Sequence, residues 1–230
     1  MCNVSCISFA TTNLFREQVE GKKVIEVGSR NINGSIRSHI EAFGPAEYIG
    51  VDIAKGPGVE QICGITDLSA RFGESQFDLL VCTEVIEHVF DWPKGIANLK
   101  CVLNPGGLLL VTTRSKGFPY HGFPFDYWRF EKEDFERIFS DMEIVCVEKD
   151  QTDPGVFILA RKPYGYFETI PEDIPVYSML TRTRSAKITT TDRILGFLQN
   201  FQLVGFLSSI LPDSIKAPLK RIFHYGDYRV

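Results

Sequence analysis

Lys22-Lys23-Val24-Ile25-Glu26-Val27-Gly28 is a short apolar run that stops at a glycine, and its reading decides the fold. Such a run, bounded by a turn residue, is a buried strand. A helical stretch follows over about 34–43 and is closed by Gly44-Pro45. Tyr48-Ile49-Gly50-Val51-Asp52 is a second strand ending in an acid, and Val59–Ile62 a short third. Phe77–Cys82 is a fourth, followed by helical sequence through Leu103. Asn104-Pro105-Gly106-Gly107 is a turn, and Leu108–Thr113 a fifth strand. A loop runs from Arg114 to Phe130 and a helix from Glu131 to Phe139, while on the N-terminal side 12–20 reads as one short helix. The alternation predicts an α/β protein, a mostly parallel sheet with helices on both faces. Glu143–Val147 and Val156–Arg161 are joined by a turn too short for a parallel crossover, so the last strand should be antiparallel.

The composition agrees. With 230 residues, 44% hydrophobic, 23% charged, 12 Pro and 19 Gly, disorder, collagen and coiled coil are excluded. One domain plus an appendage fits this length, with a helix over 1–21, the domain over 22–163 and an extension over 164–230. The net charge of −4 argues against a nucleic-acid partner. It is unevenly spread: residues 1–163 carry 17 Lys/Arg against 23 Asp/Glu, whereas 174–230 carry 8 against 3. The six cysteines form no C-x-x-C pair and match no zinc module, so a reduced, cytoplasmic protein without a bound metal is expected. The N-terminus lacks the features of a signal peptide.

In an open parallel sheet the ligand site lies beyond the carboxyl ends of the strands. The first loop there, Gly28-Ser29-Arg30-Asn31-Ile32-Asn33-Gly34, lacks the second and third glycines of a dinucleotide fingerprint, which disfavours NAD. Asp52 stands where an acid can accept bonds from both hydroxyls of a ribose; the alternative is an acid that caps the next turn. In the loop after the fifth strand, residues 118–130 hold seven aromatics. They either wall a binding site or pack on the sheet, with Asp126 and Arg129 paired to fix the loop. Tyr127 and Trp128 are expected to face opposite ways.

The order E-x-G, an acid ending the second strand, FDLLVCTEVIEHV over 77–89 and LNPGGLLLVTT over 103–113 resembles the class I S-adenosylmethionine-dependent methyltransferases. Within them it resembles the small-molecule branch with Glu87-His88 after strand four and an H-x-x-P-x-D-Y-W-R-F segment over 121–130. The resemblance covers about 22–162. It implies a Rossmann-like seven-stranded sheet with a reversed last strand, and S-adenosylmethionine as cofactor. It further implies that Glu26, Gly28 and Ser29 line the methionine portion, Asp52 holds the ribose and Ile53 packs on the adenine. Cys82 and Thr83 would meet the methionine end through backbone groups, and Asp67 or, by backbone only, Gly64 would meet the adenine amino group. Arg30 and Ile32 stand where the family usually has glycines.

Methyl transfer requires mainly alignment, and a hydroxyl acceptor benefits from a base. His88 and His121 are the catalytic candidates, although the Glu87–His88 pair can equally orient a helix start. Arg114, Tyr120, Asp126, Tyr127 and Arg129 are the candidates for binding the acceptor, a small molecule or glycan methylated on oxygen or nitrogen. The alternative is a methyltransferase-like interaction module that does not catalyse.

Beyond Pro163 the resemblance fades. Residues 164–180 read as extended. From Ile194 to Pro212 no residue is charged, but five amides and hydroxyls make a membrane span unattractive. Its apolar residues fall on two opposed helical faces, and Lys216, Lys220 and Arg221 give a basic end. Packing on the domain, a homodimer interface, or contact with an acidic membrane surface through 194–221 all fit.

Overall fold

A computed structural model describes residues 3–122, 125–169 and 173–192. Five strands run in parallel from the first edge: β1 (Lys23–Val27), β2 (Glu47–Asp52), β3 (Gln61–Ile62), β4 (Phe77–Thr83) and β5 (Leu103–Arg114). With β7 (Glu143–Lys149) and β8 (Gly155–Arg161) they make a seven-stranded sheet in the order β3-β2-β1-β4-β5-β8-β7. β8 is antiparallel to both neighbours, as the short turn before it required. The register pairs Val27 with both Val51 and Cys82, and Cys82 with Val111. The strands therefore end level, and their following loops share one edge.

Alternation along the central strands sends successive side chains to opposite faces. Ile25, Leu80, Leu109 and Ile158 join α4 (Leu68–Phe72), α5 (Trp92–Val102) and α6 (Lys132–Ile138) in one core. Val24, Leu79, Leu110 and Leu159 pack on the other face under α1 (Val4–Asn13) and α3 (Arg37–Glu41).

Three expectations need correction. The single helix over 12–20 is two, α1 and α2 (Arg16–Val19). Asn3 caps α1 by accepting from the Cys6 amide at 2.9 Å, and Leu14, extended and fully buried, separates the two. The turn at 104–107 lies inside β5 as a bulge, since Phe77 pairs with Leu103 and Leu79 with Leu108. The extended reading of 164–180 omits a second sheet, in which β9 (Val176–Ser178) joins β10 (Arg184–Ser185) to β6 (Trp128–Arg129). Through it Ile174, Val176 and Ile188 enter the main core, so this part of the extension packs on the domain. Among the described residues no helix is long and apolar enough to cross a membrane. The stretch 194–221 lies outside them.

Candidate active site

A cleft of about 360 Å³ opens at the level carboxyl ends of β1, β2 and β4. Gly28 forms its floor. Its φ of +78° is left-handed, and a Cβ there would stand 2.2 Å from Val85 Cγ2, so the position requires glycine. Its amide donates to the Val51 carbonyl at 2.8 Å, which fixes the turn out of β1. Asp52 lines the rim, where Oδ1 accepts from the Ala54 amide at 2.9 Å and Oδ2 from the Arg30 amide at 3.4 Å. It thus caps the turn while its carboxylate faces the cleft. Ile53 presents an apolar side chain that is 59% exposed, opposite the backbone of Cys63, Gly64 and Ile65. Glu84, Val85, His88 and Phe90 close the far wall.

The two glycines absent from the first loop reappear across from it. A Cβ on Gly58 would meet the Ser29 carbonyl at 2.7 Å, and one on Gly56 the Arg30 Cγ at 2.8 Å. The second loop gives way so that the first can carry Arg30. The Asn31 amide donating to the Pro57 carbonyl at 2.9 Å zips the two together. Arg37 holds the arrangement from below, donating to both Glu60 oxygens at 2.9 and 2.6 Å and to the Gly58 carbonyl at 2.9 Å.

Several expected cofactor residues have buried side chains. Glu26 is buried and accepts from the Tyr48 hydroxyl at 2.8 Å; burial pushes its carboxyl up to about 7 despite that bond. Ser29, Cys82 and Thr83 are buried behind the wall, and burial raises the Cys82 thiol far above its ordinary range. Asp67 stands at the start of α4, directly after the lining residues Gly64, Ile65 and Thr66.

The acceptor candidates divide more sharply. Arg114 is buried, ion-paired to Glu84, and stacked on the Phe118 ring with its guanidinium 4.2 Å from the centroid. Asp126 and Arg129 are fully buried and paired; Arg129 also donates to the Pro119 carbonyl at 2.9 Å and the Trp128 carbonyl at 2.7 Å. These three side chains are buried and paired and are not among the residues that line this cleft. Tyr127 packs edge-on against Phe90 and is as buried as Trp128, so the two do not divide between core and surface. Tyr120 remains half-buried beside Gly122.

Asp126 serves a second purpose, accepting from both the His121 amide and Nδ1 at 3.0 Å. This brings His121 edge-on to His88, with ring centroids 4.8 Å apart. Glu87, fully buried on the Ile86–His88 turn, faces both rings. Burial opposes its charge, but the two imidazoles prevail and hold its carboxyl at about 2. Burial likewise works against a charged His121, yet Asp126 and Glu87 raise it to about 9. The pair Glu87-His88 was visible in the sequence; that Glu87 is the buried centre of the group was not.

A family model described as a methyltransferase domain matches residues 7–142, more than half of the chain. The chain belongs to the methyltransferase-domain family. This methyltransferase domain is 30% identical over 123 residues to a tRNA U34 carboxymethyltransferase of Campylobacter jejuni, covering 47% of the chain and 41% of that protein. It is 30% identical over 112 residues to a ubiquinone biosynthesis O-methyltransferase of Coxiella burnetii, covering 44% and 47%. The chain thus spans less than half the length of either relative. Its fold resembles the 1,6-didemethyltoxoflavin-N1-methyltransferase of Burkholderia thailandensis, solved with its substrate and S-adenosylhomocysteine, at a TM-score of 0.56, 15% identity and coverage of 69% and 78%. It also resembles the [4+2]-cyclase SpnF at a TM-score of 0.55, 14% identity and coverage of 69% and 81%. One fold thus serves proteins named for different reactions, and the chemistry has to be argued from the site.

Proposed function

We propose that this chain is an S-adenosylmethionine-dependent methyltransferase that modifies oxygen or nitrogen of a small molecule or glycan. One observation carries the reading: the level ends of β1, β2 and β4 form a cleft whose floor excludes any side chain at Gly28 and whose rim presents Asp52. The residues fit the cofactor. Asp52 would accept from the ribose hydroxyls, Ile53 would cover the adenine and Gly28 leaves room for the methionine portion. When bound, S-adenosylmethionine supplies a methyl group on a sulfonium that departs as a neutral thioether.

The protein's share of the work is alignment and proton management. The wall made by Val85, His88 and Phe90 would direct the acceptor towards the Gly28 end, and His88, the member of the Glu87–His88–His121 group that lines the cleft, would bring that group to the acceptor's proton. Gly56 and Gly58 let the second loop close on Ser29 and Arg30, while Arg30 and Ile32 both line the cleft, so a non-catalytic module is the alternative reading.

Calorimetry with S-adenosylmethionine on the wild-type chain and on Asp52→Ala tests the proposal. Loss of hydrogen bonds to a charged acceptor costs about 1.5–3 kcal/mol, a weakening of roughly 10- to 150-fold. Equal affinities would remove Asp52 from the site.

A further inference from the structure

One atom of each of Glu87, His88 and His121 lies within 4.8 Å of the other two, and each of these side chains is held from behind. Thr113 Oγ1 donates to Glu87 Oε2 at 2.8 Å, which leaves Oε1 buried with no hydrogen-bond partner among the described residues. His88 Nδ1 lies 2.6 Å from the Phe125 carbonyl. A carbonyl only accepts, so the proton sits on Nδ1 and, in the neutral ring, Nε2 offers a lone pair. His121 Nδ1 lies 3.0 Å from Asp126, a carboxylate already paired with Arg129, so Nδ1 keeps its proton and an incoming ion displaces the one on Nε2. The two Nε2 atoms stand 3.9 and 3.6 Å from Glu87 Oε1, beyond hydrogen bonding. Glu84 and Asp126 are each paired with an arginine, while among the described residues Glu87 faces the two imidazoles and no arginine or lysine.

We propose that Glu87 Oε1, His88 Nε2 and His121 Nε2 bind a divalent first-row transition ion of the Zn²⁺ type. Two imidazoles and one carboxylate suit such an ion better than Mg²⁺, which prefers oxygen ligands and its own water. At metal–ligand distances of about 2.0–2.1 Å, ligand atoms stand roughly 3 Å apart, so the three side chains close in by an ångström or so. Each ligand already has the outer partner that metal sites use to fix tautomer and orientation: the Phe125 carbonyl, Asp126 and Thr113. A bound ion would also give the buried Glu87 Oε1 a partner for its lone pair. His88 lines the cleft and so brings the ion to its wall.

The ion's role rests on the proposed function. An acceptor oxygen on an open position would lose its proton to solvent more readily. Its lone pair then forms the bond to the methyl carbon as the carbon–sulfur pair returns to sulfur. The two imidazoles serve as ligands in that step, not as bases.

The full chain, stripped with EDTA and dialysed, is titrated with Co²⁺ by visible absorption and with Zn²⁺ by calorimetry, with Mg²⁺ as competitor. The expected result is one Co²⁺ per chain with visible absorption bands, displaced by Zn²⁺ and not by Mg²⁺. His88→Ala and His121→Ala should each weaken Zn²⁺ binding at least 100-fold. No stoichiometric Co²⁺ binding, or unchanged Zn²⁺ affinity in the folded variants, overturns the proposal. Should a variant fail to fold, imidazole NMR of the wild type decides: Zn²⁺ must shift both Nε2 resonances while both Nδ1 protons persist, and no shift overturns it. S-adenosylhomocysteine binding in the same samples separates the two readings. Zn²⁺ binding without it leaves the metal site standing and defeats the proposed function.

Discussion

Gly28→Ala probes the cleft floor with a perturbation whose parts can be separated. The new Cβ would sit 2.2 Å from Val85 Cγ2, whereas ordinary contact begins at 3.4 Å, so Val85 must retreat by about 1.2 Å. Overpacking of this kind costs about 1–3 kcal/mol. The left-handed φ of +78° adds about 1–2 kcal/mol for any residue with a Cβ, whatever space it has. Val85→Ala removes Cγ2, and what remains is Val85 Cβ at 3.7 Å, an ordinary contact. Denaturant unfolding of the wild type, both single variants and the double variant should therefore give a coupling of about 1–3 kcal/mol, with the backbone cost left in the double variant. S-adenosylmethionine affinity should follow the same pattern, because Val85 also lines the cleft. Additive effects within about 0.5 kcal/mol would refute the contact and leave the left-handed backbone as the reason for glycine at this turn.

Two further variants test the frame around the site. Asp126→Asn leaves the buried Arg129 without its charge partner and should cost about 3–5 kcal/mol in urea unfolding, where a loss below about 1 kcal/mol would contradict the buried pair. Glu26 has a folded pKa of about 7 against 4.5 when unfolded, so its contribution is fully present below pH 4.5 and disappears as pH rises through 7. Glu26→Gln should therefore match the wild type near pH 4 and exceed it by up to about 3 kcal/mol at pH 8.5; a pH-independent difference would show that the carboxyl is not buried as described.

The sheet was legible because its signals are local. Apolar runs such as 77–82 and 108–111 are strands buried on both faces, and the five-residue turn between β7 and β8 cannot carry a parallel crossover. The first helix could have been found as well, since Cys6, Phe9 and Ala10 repeat at helical spacing after a capping asparagine. The second sheet could not: β6 and β9 have two and three residues, too few for a periodicity, and are joined only by the fold. The same distinction runs through the site. Gly28 and Asp52 follow from their places at strand ends, and both face the cleft. Arg114, Asp126 and Arg129 carry the charges of a binding loop, but partners as distant in sequence as Glu84 and Asp150 withdraw them from solvent. The clearance supplied by Gly56 and Gly58 was hidden for the same reason, because it acts on a loop some 25 residues earlier.

The most direct measurement is a crystal structure of the chain soaked with S-adenosylhomocysteine. The account predicts the ribose hydroxyls on Asp52, the adenine on Ile53 and the sulfur towards the Gly28–Val85 end. A ligand bound elsewhere, or a cleft still empty at saturating concentration, would contradict it.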